Sequence, residues 1–228
     1  MTIQIRTDYG LTGPSMQADT VRASKPKGVY RLGFKRLFDI CFVLMISVPS
    51  VLVVALLALI IARDGHNPFY RQDRVGRNGR VFKMWKLRTM VQNADTALAD
   101  HLEANVAARI EWDRHQKLAF DPRITPIGRF LRATSIDELP QFFNVLKGDM
   151  SIVGPRPMMT NQQSLYPGIA YYEMRPGITG LWQTSERNLT SFSERAVFDN
   201  AYFGDMSFWT DLRVVCRTVL VVVRANGQ

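Results

Sequence analysis

One apolar run near the N-terminus limits what this chain can fold into. Ile40 to Ala62 are 23 consecutive uncharged residues, and a helix of that length can cross a bilayer core of ~30 Å. Lysines and arginines flank the run equally on both sides, whereas a spanning helix normally has them in excess on the cytoplasmic side. Pro49 interrupts the run near its middle. We therefore expect a re-entrant helix-break-helix over residues 29–63. A single-span anchor is the alternative, because spanning helices tolerate proline.

The segments on either side of this run differ in composition. Residues 1–28 mix Gly, Pro, Ser, Thr and charged side chains without apolar periodicity, which predicts a disordered leader. The apolar run starts too late and is too long for a cleavable signal peptide. Residues 64–228 suffice for one folded domain. The net charge of +9 suits anionic phospholipids, nucleic acid or phosphorylated small molecules and does not choose among them. Cys41 and Cys216 offer neither metal spacing nor a disulfide framework, which favours a reducing compartment.

A β-hairpin is expected directly after the apolar run. Phe69–Arg71 and Val81–Trp85 are β-prone, and Gly76–Gly79 between them contains Asn-Gly, a strong turn signal. Most basic residues of the hairpin are interpreted as a solvated ribbon beside anionic lipid. Lys86 and Arg88, at the inner end of the second strand, are the candidates for phosphate contacts. The following segment, Val91 to Leu118, has no Gly or Pro and predicts a helix without chemistry. The fold class is therefore α+β, mainly helical.

The chemical centre is expected around Asp137 and Glu138. Pro140 lacks an N–H and is comfortable only in the first turn of a helix, which favours Asp137 as the N-cap and Gly148 as the end. Two interpretations remain open. In one, Asp137 merely caps the helix and Glu138 complements its dipole. In the other, the helix start keeps Asp137 ionised and gathers phosphate oxygens.

Two later segments add further candidates. In Pro155-Arg156-Pro157 the prolines fix the backbone around one arginine, which suits bidentate recognition of phosphate. Leu212 to Val223 is strongly apolar, with arginines 213, 217 and 224 along one helical face. That pattern predicts an amphipathic helix in the membrane interface, and a buried terminal helix with snorkelling arginines is an equal alternative.

These pieces together resemble the bacterial polyprenyl-phosphate hexose-1-phosphate transferases. The likeness is strongest to the exopolysaccharide-type undecaprenyl-phosphate galactose phosphotransferases, and it extends from about Gly28 to Arg224. Its matching motifs stand in the family's order: Lys35 to Asp39, Gly76 to Gly79, Lys86 to Met90, Asp137 to Gln141, Ser151 to Pro157, Pro176 to Gln183, Arg187-Asn188 and Asp211-Leu212. Two departures are Ser47-Val48-Pro49 in place of Ser-Pro, and Glu186 where the family commonly has Gly.

The resemblance implies a monotopic protein with interfacial amphipathic helices. Its catalytic domain would lie on the cytoplasmic face of the bacterial inner membrane. The implied reaction moves a sugar-1-phosphate, galactose-1-phosphate by the nearest likeness, from a UDP-sugar to undecaprenyl phosphate, with Mg²⁺ required and UMP released, in exopolysaccharide biosynthesis. The implied catalytic residues are Asp137, Glu138, Lys86 and Arg132; those for substrate are Arg88, Pro155, Arg156, Pro157 and Arg187; Asp137 and Glu138 would also hold the metal.

Two other functions remain as alternatives. A membrane-anchored basic module could bind anionic lipid or nucleic acid without catalysis, but it leaves Asp137 and Glu138 without a role. No recognisable nucleic-acid motif is present, so the expected partners are the UDP-sugar, undecaprenyl phosphate and membrane phospholipids; a homo-oligomer stays open. The second alternative is an enzyme that transfers the sugar without its phosphate.

Overall fold

The computed structural model describes residues 28–115, 118–185 and 192–223. The predicted leader lies outside them except for Gly28. Among these residues the chain is mostly helical with two small sheets, which confirms the α+β, mainly helical class. The helices are α1 (Lys35–Ile61), α2 (Ala94–Ala104), α3 (Val106–His115), α4 (Pro126–Thr134), α5 (Gln141–Lys147), α6 (Ala170–Glu173), α7 (Arg195–Gly204) and α8 (Phe208–Val223). The strands are β1 (Phe69–Val75), β2 (Val81–Leu87), β3 (Ser151–Val153) and β4 (Gly177–Thr179).

The long apolar helix α1 runs through Pro49 without interruption, so the predicted break is wrong at the level of secondary structure. Two serines flank the proline. The Ser47 hydroxyl donates to the carbonyl of Leu44 at 2.8 Å, and the Ser50 hydroxyl donates to the carbonyl of Ile46 at 2.7 Å. Neither bond goes to the carbonyl of Met45, which is the acceptor that an N–H at position 49 would have served. Tyr30–Asp64 is the one stretch of the described chain that is long and apolar enough to cross a membrane.

The first turns of α1 are fixed to the folded domain by a buried polar network. Asp39 is 1% exposed and accepts hydrogen bonds from the Ser151 hydroxyl at 2.9 Å and the Ile152 N–H at 3.0 Å. The Lys35 ammonium lies 3.1 Å from Asp39 and 2.6 Å from Asp211 of α8. Since buried charges are stable only when they are paired and hydrogen-bonded, this network specifies where the helix begins on the domain.

The other end of α1 is attached to the same domain. The Arg88 guanidinium donates to both carboxylate oxygens of Asp64 at 2.7 Å and to the Ile61 carbonyl at 3.2 Å. Between these two attachments the helix exposes a continuous set of apolar side chains: Leu44, Met45, Val48, Val51, Leu52 and Leu56. Both ends of α1 therefore contact one body, while its middle presents an apolar surface.

The predicted hairpin is confirmed, and the long helix predicted after it is not. Strands β1 and β2 pair antiparallel over seven residues each, and Asn78 and Gly79 take the left-handed backbone of the turn. The segment from Val91 to Leu118 contains two helices, α2 and α3, separated at Asn105. The Asn105 side-chain oxygen accepts from the Ala108 N–H at 3.0 Å and so begins α3 as an N-cap.

A short parallel pair, β3 and β4, was missed in the sequence and lies where only turns were expected. The two strands continue into a close backbone contact, in which the Gly154 N–H donates to the Thr179 carbonyl at 2.9 Å. A Cβ on Gly154 would lie 2.4 Å from the Arg175 carbonyl oxygen, so a side chain does not fit there. This contact places the Pro155-Arg156-Pro157 turn directly at the end of β3.

Candidate active site

Asp137 lies in a turn before helix α5 and is not its N-cap. Ser135 ends α4 in a left-handed conformation with φ 57°. Ile136–Glu138 then form one 3₁₀ turn, and Pro140 occupies the cap position of α5. The predicted start of helix α5 at Asp137 is therefore wrong, although its predicted end at Gly148 is confirmed. The interpretation in which Asp137 caps α5 is excluded, and so is the part of the other interpretation that places Asp137 at the start of that helix.

Among the described residues, Lys86 forms ion pairs with both of the adjacent carboxylates. Its ammonium lies 2.7 Å from Glu138 Oε1 and 3.7 Å from Asp137 Oδ2. Strand β2 is held against α5 by the buried side chain of Asn144, which accepts from the Trp85 N–H at 3.0 Å and donates to the Lys83 carbonyl at 2.8 Å. These two bonds fix the neighbouring Lys86 opposite the acidic pair.

The surroundings of Asp137 act on its charge in opposite directions. The residue is 7% exposed, and burial raises its pKa above the usual value for aspartate. The positive charge of Lys86 opposes this shift, Glu138 adds to it, and Arg132 opposes it. The two cations thus favour the ionised carboxylate in a place where water no longer does.

Arg132 reaches the site from the last turn of α4. Its Nε–H donates to the Thr89 hydroxyl at 2.9 Å. Helix α4 can approach this closely because residue 128 is glycine: a Cβ there would lie 2.0 Å from the Thr89 carbonyl oxygen. Burial lowers the pKa of Arg132, and the charge of Asp137 raises it. The predicted set of Lys86, Arg132, Asp137 and Glu138 is thereby brought together from three elements.

Arg156 belongs to a second cluster, whose other members were not identified from the sequence. Its guanidinium carbon lies 6.0 Å from the centre of the Trp182 ring, and that of Arg195 lies 4.1 Å from the same ring. Arg74 donates to the Pro157 carbonyl at 3.0 Å and so secures the turn. Burial, followed by the charges of Arg156 and Arg74, lowers the pKa of Arg195 to about 10.

The cluster of Arg74, Arg156 and Arg195 concentrates positive charge next to the acidic pair. The charge of Arg156 also lowers the pKa of Arg74, whereas that of Glu138 raises it. Because neighbouring guanidiniums lower the pKa values of Arg74 and Arg195, this cluster would be stabilised by a bound anion. In the sequence Arg74 could not be told from the other hairpin arginines, and Arg195 carried no local signal.

One of the predicted substrate contacts, Arg88, does not join this site. Arg88 is 9% exposed and donates to Asp64 and to two backbone carbonyls, so its contacts are structural. Arg187 lies outside the described residues, and its predicted role stays a prediction.

The carboxylates fit a magnesium site only in part. No group of three or more His, Cys, Asp or Glu side chains that could hold a metal occurs among residues 28–115, 118–185 and 192–223. Mg²⁺ is, however, usually held by one or two carboxylates together with substrate phosphates and water. Asp137 and Glu138 provide such a pair beside the cluster of Arg74, Arg156 and Arg195, so the donor set fits a metal that arrives with a diphosphate.

The sequence comparisons agree with this geometry. The family model for bacterial sugar transferases matches residues 30–225. The chain belongs to the bacterial sugar transferase family. The resemblance seen in the motifs is thereby confirmed. The matched residues include Asp137 and Glu138, Lys86 and Arg132, the cluster of Arg74, Arg156 and Arg195, and helix α1.

Three relatives illustrate the similarity. A UDP-galactose-lipid carrier transferase of Erwinia amylovora is 45% identical over 195 residues, 85% of this chain and 41% of the relative. An undecaprenyl-phosphate galactose phosphotransferase of Salmonella typhimurium is 44% identical, covering 85% and 41%. The exopolysaccharide production protein ExoY of Sinorhizobium fredii is 41% identical, covering 85% and 87%. The chain thus spans about two fifths of the first two relatives and most of the third.

Proposed function

We propose that this protein transfers a sugar-1-phosphate from a UDP-sugar to undecaprenyl phosphate and releases UMP, as a membrane step of exopolysaccharide synthesis. The observation that carries the proposal is the acidic pair of buried Asp137 and half-buried Glu138, which Lys86 bridges and whose charges act on Arg132 and Arg74. Such a site offers a nucleophile and enough positive charge for a diphosphate. The names of the relatives favour galactose as the sugar and undecaprenyl phosphate as the acceptor. A basic module without catalysis would leave the acidic pair unexplained.

The proposed reaction has two steps. An oxygen of the Asp137 carboxylate attacks the phosphorus that bears the sugar, and the bond from that phosphorus to the bridging oxygen breaks, so that UMP leaves with the electron pair. An oxygen of undecaprenyl phosphate then attacks the same phosphorus and displaces the Asp137 carboxylate. Lys86 and Arg132 stabilise the ionised nucleophile, while Arg156, with Arg74 and Arg195, binds the diphosphate.

We infer that Mg²⁺ is required and that Asp137 and Glu138 hold it together with diphosphate oxygens. The metal would supply charge neutralisation on the phosphates. Lys86 already neutralises part of the acidic pair, since it lies 2.7 Å from Glu138. Because the proposal makes Mg²⁺ essential, removal of divalent cations by EDTA should abolish turnover, and MgCl₂ should restore it.

We also propose that α1, although unbroken in secondary structure, bends in the membrane around Pro49 and so is re-entrant, and that the domain lies on the cytoplasmic face of the inner membrane. The two ends of a spanning helix would be ~30 Å apart on opposite sides of the bilayer. Here the Lys35 and Asp64 ends both contact the same domain, which supports entry and exit on one side. Single cysteines near Lys25 and at His66, introduced after Cys41 and Cys216 are replaced by Ser, test this in spheroplasts. Labelling of the N-terminal site by an impermeant reagent from the periplasmic side would contradict re-entry.

Radiolabelled UDP-galactose tests the reaction itself. In membranes containing undecaprenyl phosphate, label from the β-phosphate should enter the organic-extractable lipid together with label from the sugar ring. Label from the ring alone would indicate sugar transfer without phosphate. Absence of both, across a panel of UDP-sugars and with Mg²⁺ present, would contradict enzymatic function and favour the basic binding module.

A further inference from the structure

A large apolar groove runs between the middle of α1 and the domain. It has a volume of about 520 Å³, which is within the ~300–1,000 Å³ typical of ligand sites. Val51 and Ala55 of α1 form one wall, and Trp85 and Phe143 form the opposite one. We call this cavity the α1 groove.

The lining of the α1 groove has almost nothing to offer a polar ligand. Its hydroxyl groups belong to Ser47 and Ser50, and both hydroxyls already donate to backbone carbonyls of α1 itself. The aromatic wall is continuous, since the ring of Trp85 contacts those of Phe69 and Phe143 edge to face at 6.0 and 6.1 Å between centroids. An occupant of this groove is therefore a hydrocarbon chain rather than a nucleotide or a sugar.

One end of the α1 groove adjoins the acidic pair. Leu139 and Pro140 line it and follow Glu138 directly in the chain, within one helical turn of the acidic pair. A chain lying in the groove therefore carries its headgroup to the carboxylates. Along its side the groove is bounded by the exposed apolar middle of α1, the surface that would face lipid.

We propose that the α1 groove binds the isoprenoid chain of the lipid-phosphate acceptor and so places its phosphate at Asp137. This inference rests on the proposed function. A phospholipid acyl chain is the competing occupant. The rings of Trp85 and Phe143 favour the isoprenoid, because its branched, unsaturated units present more π and methyl surface to aromatic faces than a straight acyl chain does. The groove thus selects the acceptor by its chain, while the cationic cluster selects the donor by its phosphates.

A matched pair of valine variants tests the groove. Val51 and Val48 are both exposed on α1, at 64% and 69%, but of the two only Val51 lines the groove. The full-length protein carrying Val51→Trp should show a KM for undecaprenyl phosphate raised about tenfold, a change of about 1.4 kcal/mol, with the KM for UDP-galactose unchanged. Val48→Trp should leave both constants unchanged. Equal KM values for undecaprenyl phosphate in the two variants would overturn the proposal. Absence of transfer by the wild-type protein would refute the proposed function instead.

Photo-crosslinking tests the occupant without any substitution. An isoprenyl phosphate carrying a benzophenone near its phosphate end should label peptides that contain Trp85 or Val51 in the wild-type protein. Unlabelled undecaprenyl phosphate should compete, and phosphatidylglycerol at the same concentration should not. Competition by both lipids equally, or labelling elsewhere, would assign the groove to phospholipid chains or leave it without a ligand and so overturn the proposal.

Discussion

Replacing Asp137 with Asn separates a chemical role of this residue from a structural one. The amide keeps the size and shape of the side chain but removes the nucleophilic oxygen charge. Asp137 is 7% exposed, so the substitution acts inside the site and has little effect on the surface. Asp73→Asn, on the exposed part of the hairpin, is a control with the same chemical change.

The structure sets the expected magnitudes. At 3.7 Å and an effective dielectric constant of ~20, Lys86 attracts the carboxylate by about 4 kcal/mol. The raised pKa of Asp137 means that the loss of hydration outweighs this attraction. Removal of the charge should therefore change the free energy of unfolding by no more than about 1 kcal/mol, or increase it. The turnover number should fall by a factor of about 10⁴ or more, as for other removed nucleophiles.

Two measurements check this reasoning. Thermal denaturation in detergent should give similar Tm values for the wild-type protein, Asp137→Asn and Asp73→Asn. With UDP-galactose labelled in the β-phosphate and no lipid acceptor, the wild-type protein should release about one equivalent of UMP and retain protein-bound label. Asp137→Asn should do neither. A folded Asn variant with more than about a tenth of wild-type turnover would contradict the covalent mechanism. UMP release that strictly requires the acceptor would instead favour direct in-line attack by the lipid phosphate.

Three further substitutions probe the scaffold. Asp39→Ala removes one of the two carboxylates of Lys35 and the acceptor of the buried Ile152 N–H, which should destabilise the protein by about 1–3 kcal/mol; an unchanged Tm would contradict this. Gly128→Ala introduces a Cβ 2.0 Å from the Thr89 carbonyl oxygen, which should cost about 1–3 kcal/mol and lower turnover, whereas Gly33→Ala, with no atom within 4 Å, should do neither. Burial raises the pKa of Asp199 to about 7. The folded state therefore favours the protonated form of Asp199, and the stability of the protein should decline as pH rises from about 4 through about 7. Asp199→Asn should flatten the plot of Tm against pH over this range. A plot that is not flattened would show that Asp199 does not cause the decline.

Local turn chemistry made part of the fold predictable. Asn78-Gly79 between two β-prone runs could form little other than a tight hairpin turn, and Gly148 ends α5 in the left-handed conformation that glycine favours. The start of α5 was mispredicted because it depends on Ser135, whose left-handed backbone has no clear signature in the sequence. The resulting 3₁₀ turn moved the helix start past Pro140.

Contacts distant in sequence account for most of what was missed. Strands β3 and β4 pair over three residues each, too few for an alternating pattern to be visible. Arg88 was assigned to substrate because its motif adjoins Lys86, and only the fold reveals that Asp64 is its partner. The cluster of Arg74, Arg156 and Arg195 likewise forms only where the β1–β2 hairpin, the turn after β3 and the start of α7 meet. The acidic pair was chosen from its residue types rather than its contacts, and its chemical role stays a prediction.

In the proposed mechanism, the position of Asp137 has to satisfy opposing demands. Burial excludes water, which would otherwise hydrolyse an acyl phosphate, but it also raises the pKa of the carboxylate that must attack. Lys86 and Arg132 counter this shift, since each favours the ionised form. The balance has opposite consequences for activity and stability. As pH falls towards the raised pKa, protonation removes the nucleophile and turnover declines. The same protonation is favoured more in the folded than in the unfolded chain, so it adds to stability. A site that keeps a buried carboxylate ionised thus gives up some stability at neutral pH in return for a nucleophile shielded from water.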